Sequence, residues 1–180
     1  MATALATTVA RNGHDTILWS ENADVVTSIN QHHVHPRHFA THQLPGNLKA
    51  SSALASALTG AGLVIIAVKS EKVRSVAAQA SLYLPNDVRV LSATKGIDVD
   101  TLSLMSQVIG KEIQNRDVGI ISGPNITIDI MNEFPTAILV AANDPATIEA
   151  GQTYLEGKSL KVFGSTDLIG IETLSVVKNI

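Results

Sequence analysis

Two lysines are placed where a lysine can do chemistry. Lys95 stands in Ala93-Thr94-Lys95-Gly96, directly after an apolar run that reads as a strand. An ammonium group at the carboxyl edge of a sheet can bind a phosphate or a polarised carbonyl oxygen. Taken alone, Thr-Lys-Gly is equally a solvated loop. Lys178 stands in Val177-Lys178-Asn179, at the end of a helical stretch. There it either complements the negative end of the helix dipole or, with its pKa lowered by burial or by a nearby cation, carries a proton at neutral pH. Gly123 ends another apolar run and is followed by Pro124. A residue without a side chain admits a ligand to the backbone, although Pro124 also suits a plain helix start. Glu21 follows the first strand signal. A carboxylate there suits the N-terminal turn of a helix. The start of the first helix, Met1-Ala2, offers backbone N–H groups of the kind that hold a pyrophosphate.

Five of the six histidines fall between His32 and His42. Imidazole ligates zinc, but no carboxylate or cysteine lies in this stretch and Pro36 makes it irregular. Solvated loop histidines are the expectation, and no metal site is assigned. His14, after the first helix, reads as structural.

Elements that hold these residues follow from periodicity. Ala2, Leu5, Ala6, Val9 and Ala10 have helical spacing on one face, and Gly13 suits a left-handed cap. Strands are predicted at 16–19, 63–68, 88–91, 118–121, 136–142 and 160–163. Helices are predicted at 21–30, 51–59, 71–84, 99–113, after Pro124, at 145–155 and from 168 onward, with 31–50 a polar loop before the 51–59 helix. The run Leu63 to Val68 lacks polar alternation, as in a strand covered on both faces. Alternating strands and helices predict an α/β fold, a doubly wound Rossmann-like and mostly parallel sheet. Ligands of such sheets bind beyond the carboxyl strand ends.

Composition narrows the function classes. The chain has 180 residues, 45% of them hydrophobic and 16% charged, which excludes intrinsic disorder. Thirteen basic against sixteen acidic residues give −3 and no electrostatic case for nucleic acid or an anionic membrane. Without cysteine, disulfides and thiolate chemistry are excluded. With only 3% aromatics the core must be built from Ala, Val, Leu and Ile. The apolar runs are too short for the ~20 residues a bilayer requires. The Ala- and Thr-rich start with Arg11 and no acid has the look of a transit peptide; the strand that follows at once favours the helix reading and a cytoplasmic location.

Five segments in register resemble the bacterial-type NAD(P)-dependent glycerol-3-phosphate dehydrogenases. They are Thr3-Ala4-Leu5-Ala6 with Ala10-Arg11-Asn12-Gly13-His14 and Leu18-Trp19; Leu44-Pro45-Gly46-Asn47-Leu48; Ala93-Thr94-Lys95-Gly96; Ile121-Ser122-Gly123-Pro124 with Pro135-Thr136-Ala137; and Ile169-Gly170-Ile171-Glu172 with Val177-Lys178-Asn179. The resemblance implies hydride transfer between NAD or NADP and glycerol 3-phosphate or dihydroxyacetone phosphate. It makes Lys178 the catalytic acid–base. It places Lys95, Gly123, Asn125 and Asn179 at the substrate, and Met1, Ala2, Glu21, Lys95 and Thr127 at the cofactor. The sequence departs from the family at Asn125-Ile126-Thr127, Asp129, Lys69, Leu174-Ser175 and Glu21, where NADP-using members often carry a basic or polar residue; a carboxylate near the ribose 2′ position repels a 2′-phosphate and favours NAD. The family also implies a small phosphorylated substrate, a homodimer in the full-length form and a place in phospholipid precursor supply.

The chain opens with a helix where the doubly wound order has a strand and a Gly-rich turn, and it stops within a helix. It is expected to be the family's N-terminal domain truncated at both ends, lacking the first strand and the helical C-terminal domain. Residues 1–164 would be the incomplete dinucleotide-binding domain and 165–180 the start of the helical one. The alternatives are a catalytically inactive remnant or interaction module of that fold, and a related β-hydroxyacid dehydrogenase.

Overall fold

Small aliphatic side chains let helices approach a sheet closely, and the chain alternates the two accordingly. The computed structural model describes residues 1–113, 116–123 and 127–177. In chain order its elements are α1 (Ala2–Arg11), β1 (Thr16–Trp19), α2 (Ala23–His32), β2 (Leu48–Ser51), α3 (Leu54–Leu58), β3 (Leu63–Ile66) and α4 (Ser70–Ser81). Then follow β4 (Arg89–Ser92), α5 (Met105–Glu112), β5 (Val118–Ser122), α6 (Thr127–Met131), β6 (Thr136–Ala141), α7 (Pro145–Leu155), β7 (Leu160–Ser165) and α8 (Leu168–Val177).

The strands form two hydrogen-bonded sheets, β1-β2 and β3-β4-β5-β6-β7. All pairings are parallel except β5 with β6, where Ile121 faces Val140 in antiparallel register. The fold is thus α/β and mostly parallel, as expected. No ladder joins β1 to β3 among the described residues, so the break falls where the doubly wound order has its first strand. Helix α1 spans the break. Its Ala4 and Ala10 pack with Leu18 of β1, while Leu5 and Val9 pack with Leu63 and Ile65 of β3. The exposure of strand residues beside the break follows: Ile17 is 45% exposed.

Several boundaries differ from the predicted ones for local reasons. Asn22, not Glu21, starts α2; its Oδ1 accepts from the N–H groups of Asp24 (2.9 Å) and Val25 (3.3 Å). The predicted loop at 31–50 contains β2, whose Leu48 and Ala50 are buried and Lys49 exposed. That two-residue alternation was hidden in a polar stretch. The predicted helix 51–59 loses its start to β2 and begins at Leu54. The predicted helix 99–113 begins only at Met105. Before it, Asp98 Oδ1 accepts from the N–H (2.9 Å) and hydroxyl (2.8 Å) of Thr101, and Leu102 takes a φ of 54°. Such a side-chain turn competes with the helix.

Asn47, from the Leu-Pro-x-Asn-Leu segment, is a fold element. Its Nδ2 donates to the carbonyls of Ala10 (2.9 Å) and His14 (3.0 Å), tying the end of α1 to the start of β2.

Candidate functional site

Helix α1 runs back along β1, so its first turn lies at the carboxyl end of β1 and its last turn feeds the strand's start. The same connectivity puts the first turn of α4 at the carboxyl end of β3. One rim therefore collects the start of α1, Glu21 after β1, Lys69 to Lys72 after β3, Lys95 after β4 and Gly123 after β5.

At this rim the loop after β4 is fixed to the end of β3. The Thr94 hydroxyl donates to the Val68 carbonyl at 2.8 Å, and the Thr94 N–H donates to Ser92 Oγ at 3.3 Å. Lys95 follows, half-buried. Gly96 takes a φ of 135°, and a Cβ there would meet Ser70 Cβ at 3.3 Å. Gly123 takes a φ of 138°. Both conformations are ones that side-chain-bearing residues rarely adopt. β4 and β5 are paired neighbours, with Ser92 opposite Ile120, so Lys95 and Gly123 leave adjacent strands on the same rim. Thr127 opens α6 and is half-buried. Asn125, Lys178 and Asn179 lie outside the described residues.

Glu21 is exposed and ion-paired with Lys72, Oε2 to Nζ 2.5 Å. The pair joins the end of β1 to the first turn of α4, across the break in the sheet. Sequence reasoning missed Lys72. The signal available was its place two residues after Ser70, in the first turn of a helix that must start at the carboxyl rim.

The rim's donors fit a phosphate-bearing dinucleotide. The first turn of α1 has no side-chain cap, which leaves its leading N–H groups for an anion. A carboxylate follows β1, and two glycines with positive φ keep the backbone accessible.

In the histidine stretch His32 and His38 are exposed, as expected, while His35 departs from the solvated-loop reading. His35 is 7% exposed. Its Nδ1 accepts from the N–H groups of Arg37 and His38, both at 3.3 Å. Burial, then the neighbouring His38, holds its imidazole below the ordinary histidine range. Phe39 enters the core with Ile29, Leu44 and Leu48, and His42 Nε2 lies 3.0 Å from Asn132 Oδ1. His14 is structural as expected, its ring 4.6 Å from that of Tyr154.

Residues 2–148 match the family described as NAD-dependent glycerol-3-phosphate dehydrogenase N-terminus. The chain is 34% identical over 178 residues to the glycerol-3-phosphate dehydrogenase [NAD(P)+] of Acinetobacter baumannii (strain SDF), covering 99% of this chain and 50% of that one. It is 30% identical over 178 residues to the protein of the same name from Brucella canis, covering 99% and 55%. The crystal structure of glycerol-3-phosphate dehydrogenase from Coxiella burnetii superimposes with a TM-score of 0.92 at 29% identity, over 98% of this chain and 54% of that one. The chain thus spans about half the length of the curated relatives it matches. Among the described residues no helix is long and apolar enough to cross a membrane.

Proposed function

The chain belongs to the NAD-dependent glycerol-3-phosphate dehydrogenase family, through its N-terminal domain, and on that premise we propose that it is the dinucleotide-binding part of an oxidoreductase acting on glycerol 3-phosphate and dihydroxyacetone phosphate. The nicotinamide supplies the hydride chemistry. The residues of this chain bind, orient and move the proton. The N–H groups of Met1, Ala2 and the rest of α1's first turn hold the pyrophosphate. Glu21 accepts from a ribose hydroxyl and disfavours a 2′-phosphate, so NAD is preferred over NADP. Thr127 lies beside the cofactor.

Lys95 holds the substrate's polarised oxygen or phosphate and touches the cofactor, with Gly123 and Asn125 beside it. Lys178 takes the proton of the C2 hydroxyl as glycerol 3-phosphate is oxidised and returns it in the reverse direction. Asn179 orients the substrate. Residues 1–164 are the dinucleotide-binding domain, and 165–180, including α8, open a helical substrate domain. A cytoplasmic location and a homodimer of the full-length form belong to the same reading.

The observation that carries it is the departure of Lys95 and Gly123 from adjacent paired strands onto the rim where α1 begins. Amide NMR of the chain tests it. NADH should shift the signals of Ala2, Thr3, Glu21 and Thr127, and dihydroxyacetone phosphate those of Lys95 and Gly123. Shifts confined to the opposite edge of the sheet, or none at saturating ligand, overturn the reading.

A further inference from the structure

Glu172 is a carboxylate with no role in the reaction just described, yet it is 3% exposed. It sits midway along α8 and is held by another helix. The Ser106 N–H donates to its Oε1 at 3.0 Å, and the Ser106 hydroxyl donates to its Oε2 at 2.5 Å. Among the described residues no ion pair includes it. Ser106 is the second residue of α5. The residue preceding α5 is Leu104, which has no side-chain acceptor for the helix's leading N–H groups. Glu172 supplies that acceptor from a distant part of the chain, and the positive end of α5 favours a negative charge there. Burial pushes its carboxyl up, and the bonds from Ser106 oppose the rise.

What Glu172 joins gives it a further meaning. The segment 93–104 runs from β4 to α5 and carries Lys95. Its near end is fixed by β4 and by the bond from Thr94 to Val68. Its far end is closed by the bridge between Ile97 and Leu104 and by the bond from the Asp98 N–H to the Ser103 carbonyl, 2.9 Å. The first turn of α5, which Glu172 grips, therefore sets the far end of the Lys95 segment. Glu172 itself belongs to α8, whose sequence runs on from Val177 into Lys178. Leu168 and Ile171 seat the start of α8 on Ile120 of β5 and Ala141 of β6. One buried carboxylate thus ties α8 to the segment that carries Lys95.

We propose that Glu172 is a positioning residue: through Ser106 and the first turn of α5 it anchors the Lys95 segment to α8. The inference rests on the reading that Lys95 meets the substrate. Its value to the reaction is geometric, because small displacements of aligned groups cost rate steeply.

The test uses the chain with ¹³C-labelled lysine and follows the Cε–Hε signal of Lys95. In the parent chain, dihydroxyacetone phosphate should move this signal. In Glu172→Leu the signal should already be displaced without ligand, and the Kd should rise by about tenfold or more. Glu172→Gln keeps an acceptor for the Ser106 N–H and should fall between the two. If Glu172→Leu does not fold, Ser106→Ala removes only the hydroxyl contact and should displace the same signal in the same direction. A folded Glu172→Leu or Ser106→Ala with the Lys95 signal in its parent position overturns the inference. Failure of the triose phosphate to move the signal in the parent chain instead overturns the functional reading, and the ligand-free displacement still decides the role of Glu172.

Discussion

Asn30 and Ala50 are joined by two reciprocal hydrogen bonds. Asn30 Nδ2 donates to the Ala50 carbonyl at 2.9 Å, and the Ala50 N–H donates to Asn30 Oδ1 at 2.8 Å. The side-chain amide of α2 thereby acts as one residue of a neighbouring strand along β2, occupying part of an edge that would otherwise invite pairing with another chain.

Asn30→Ala removes both partners of a strand residue whose side chain is buried. The loss should be about 1–3 kcal/mol, read as a lower urea midpoint with an unchanged slope. Asn30→Asp should cost a comparable amount, because it keeps the acceptor and loses the donor. A midpoint at the parent value in both variants would show that water replaces the amide without cost.

Gly119 on β5 is packed closely against the two strands that flank it. A Cβ there would lie 2.7 Å from Leu91 Cδ2, 2.9 Å from the Ala141 carbonyl oxygen and 3.0 Å from Ala142 Cβ. Because one of these neighbours is backbone, the contact cannot be relieved by a rotamer change. Gly119→Ala should destabilise by about 1–3 kcal/mol. Gly46→Ala, with nothing within 4 Å of the added atom, should stay within about 0.5 kcal/mol. Thermal unfolding of the two variants side by side checks the contrast.

His35 makes stability fall on acidification. Its folded pKa is lowered by burial and by His38, so the unfolded chain binds the proton more readily. The contribution is complete above the unfolded value of about 6.5 and is lost as pH drops through the lower folded value. Protonating Nδ1 also removes the acceptor for the Arg37 and His38 N–H groups. Denaturant midpoints between about pH 7.5 and 5 should decline, and His35→Asn, which keeps a non-titrating acceptor, should flatten the decline. An equal slope in both proteins would assign the effect to other groups.

The Glu21–Lys72 pair bears on the choice of dinucleotide. On the proposed reading of Glu21, Glu21→Arg removes a carboxylate from beside the ribose and adds a cation beside Lys72. The ratio of NADPH to NADH affinity should then rise by about tenfold or more, roughly the size of one added charge contact. Fluorescence titration with the two reduced dinucleotides reads it directly, and an unmoved ratio would place the ribose away from Glu21.

Much of the architecture was legible because it rests on local signals. α7 runs from Pro145 to Leu155 as periodicity required, with Asp144 Oδ1 accepting from the Ala146 N–H at 2.9 Å as its cap. β1 fell at Thr16–Trp19 as read. β2 was not legible. Its four residues carry one charge and one serine, and it exists because β1 and Asn30 supply partners, which is information from outside the segment. The first half of the predicted helix 99–113 failed for the opposite reason: Asp98 and Thr101 formed a turn that outcompeted an acceptable helical pattern. On the carboxyl rim, the positions of Lys95 and Gly123 were legible because each follows a strand. The Lys72 partner of Glu21 and the Glu172 tie to Ser106 were not, since each depends on how separate segments meet.

The gap between β1 and β3 also governs how the molecule comes apart. Within each sheet, opening one strand breaks a continuous ladder, so the strands must open together. Between the sheets no ladder is present among the described residues, and the joint is made by side chains: the packing of α1, Ile130 and Met131 of α6 in one cluster with Phe39 and Leu44, and the contacts Glu21–Lys72 and His42–Asn132. The segment from β1 through β2 is therefore expected to open as a unit of its own, exchanging its amide hydrogens while the five-stranded sheet stays closed.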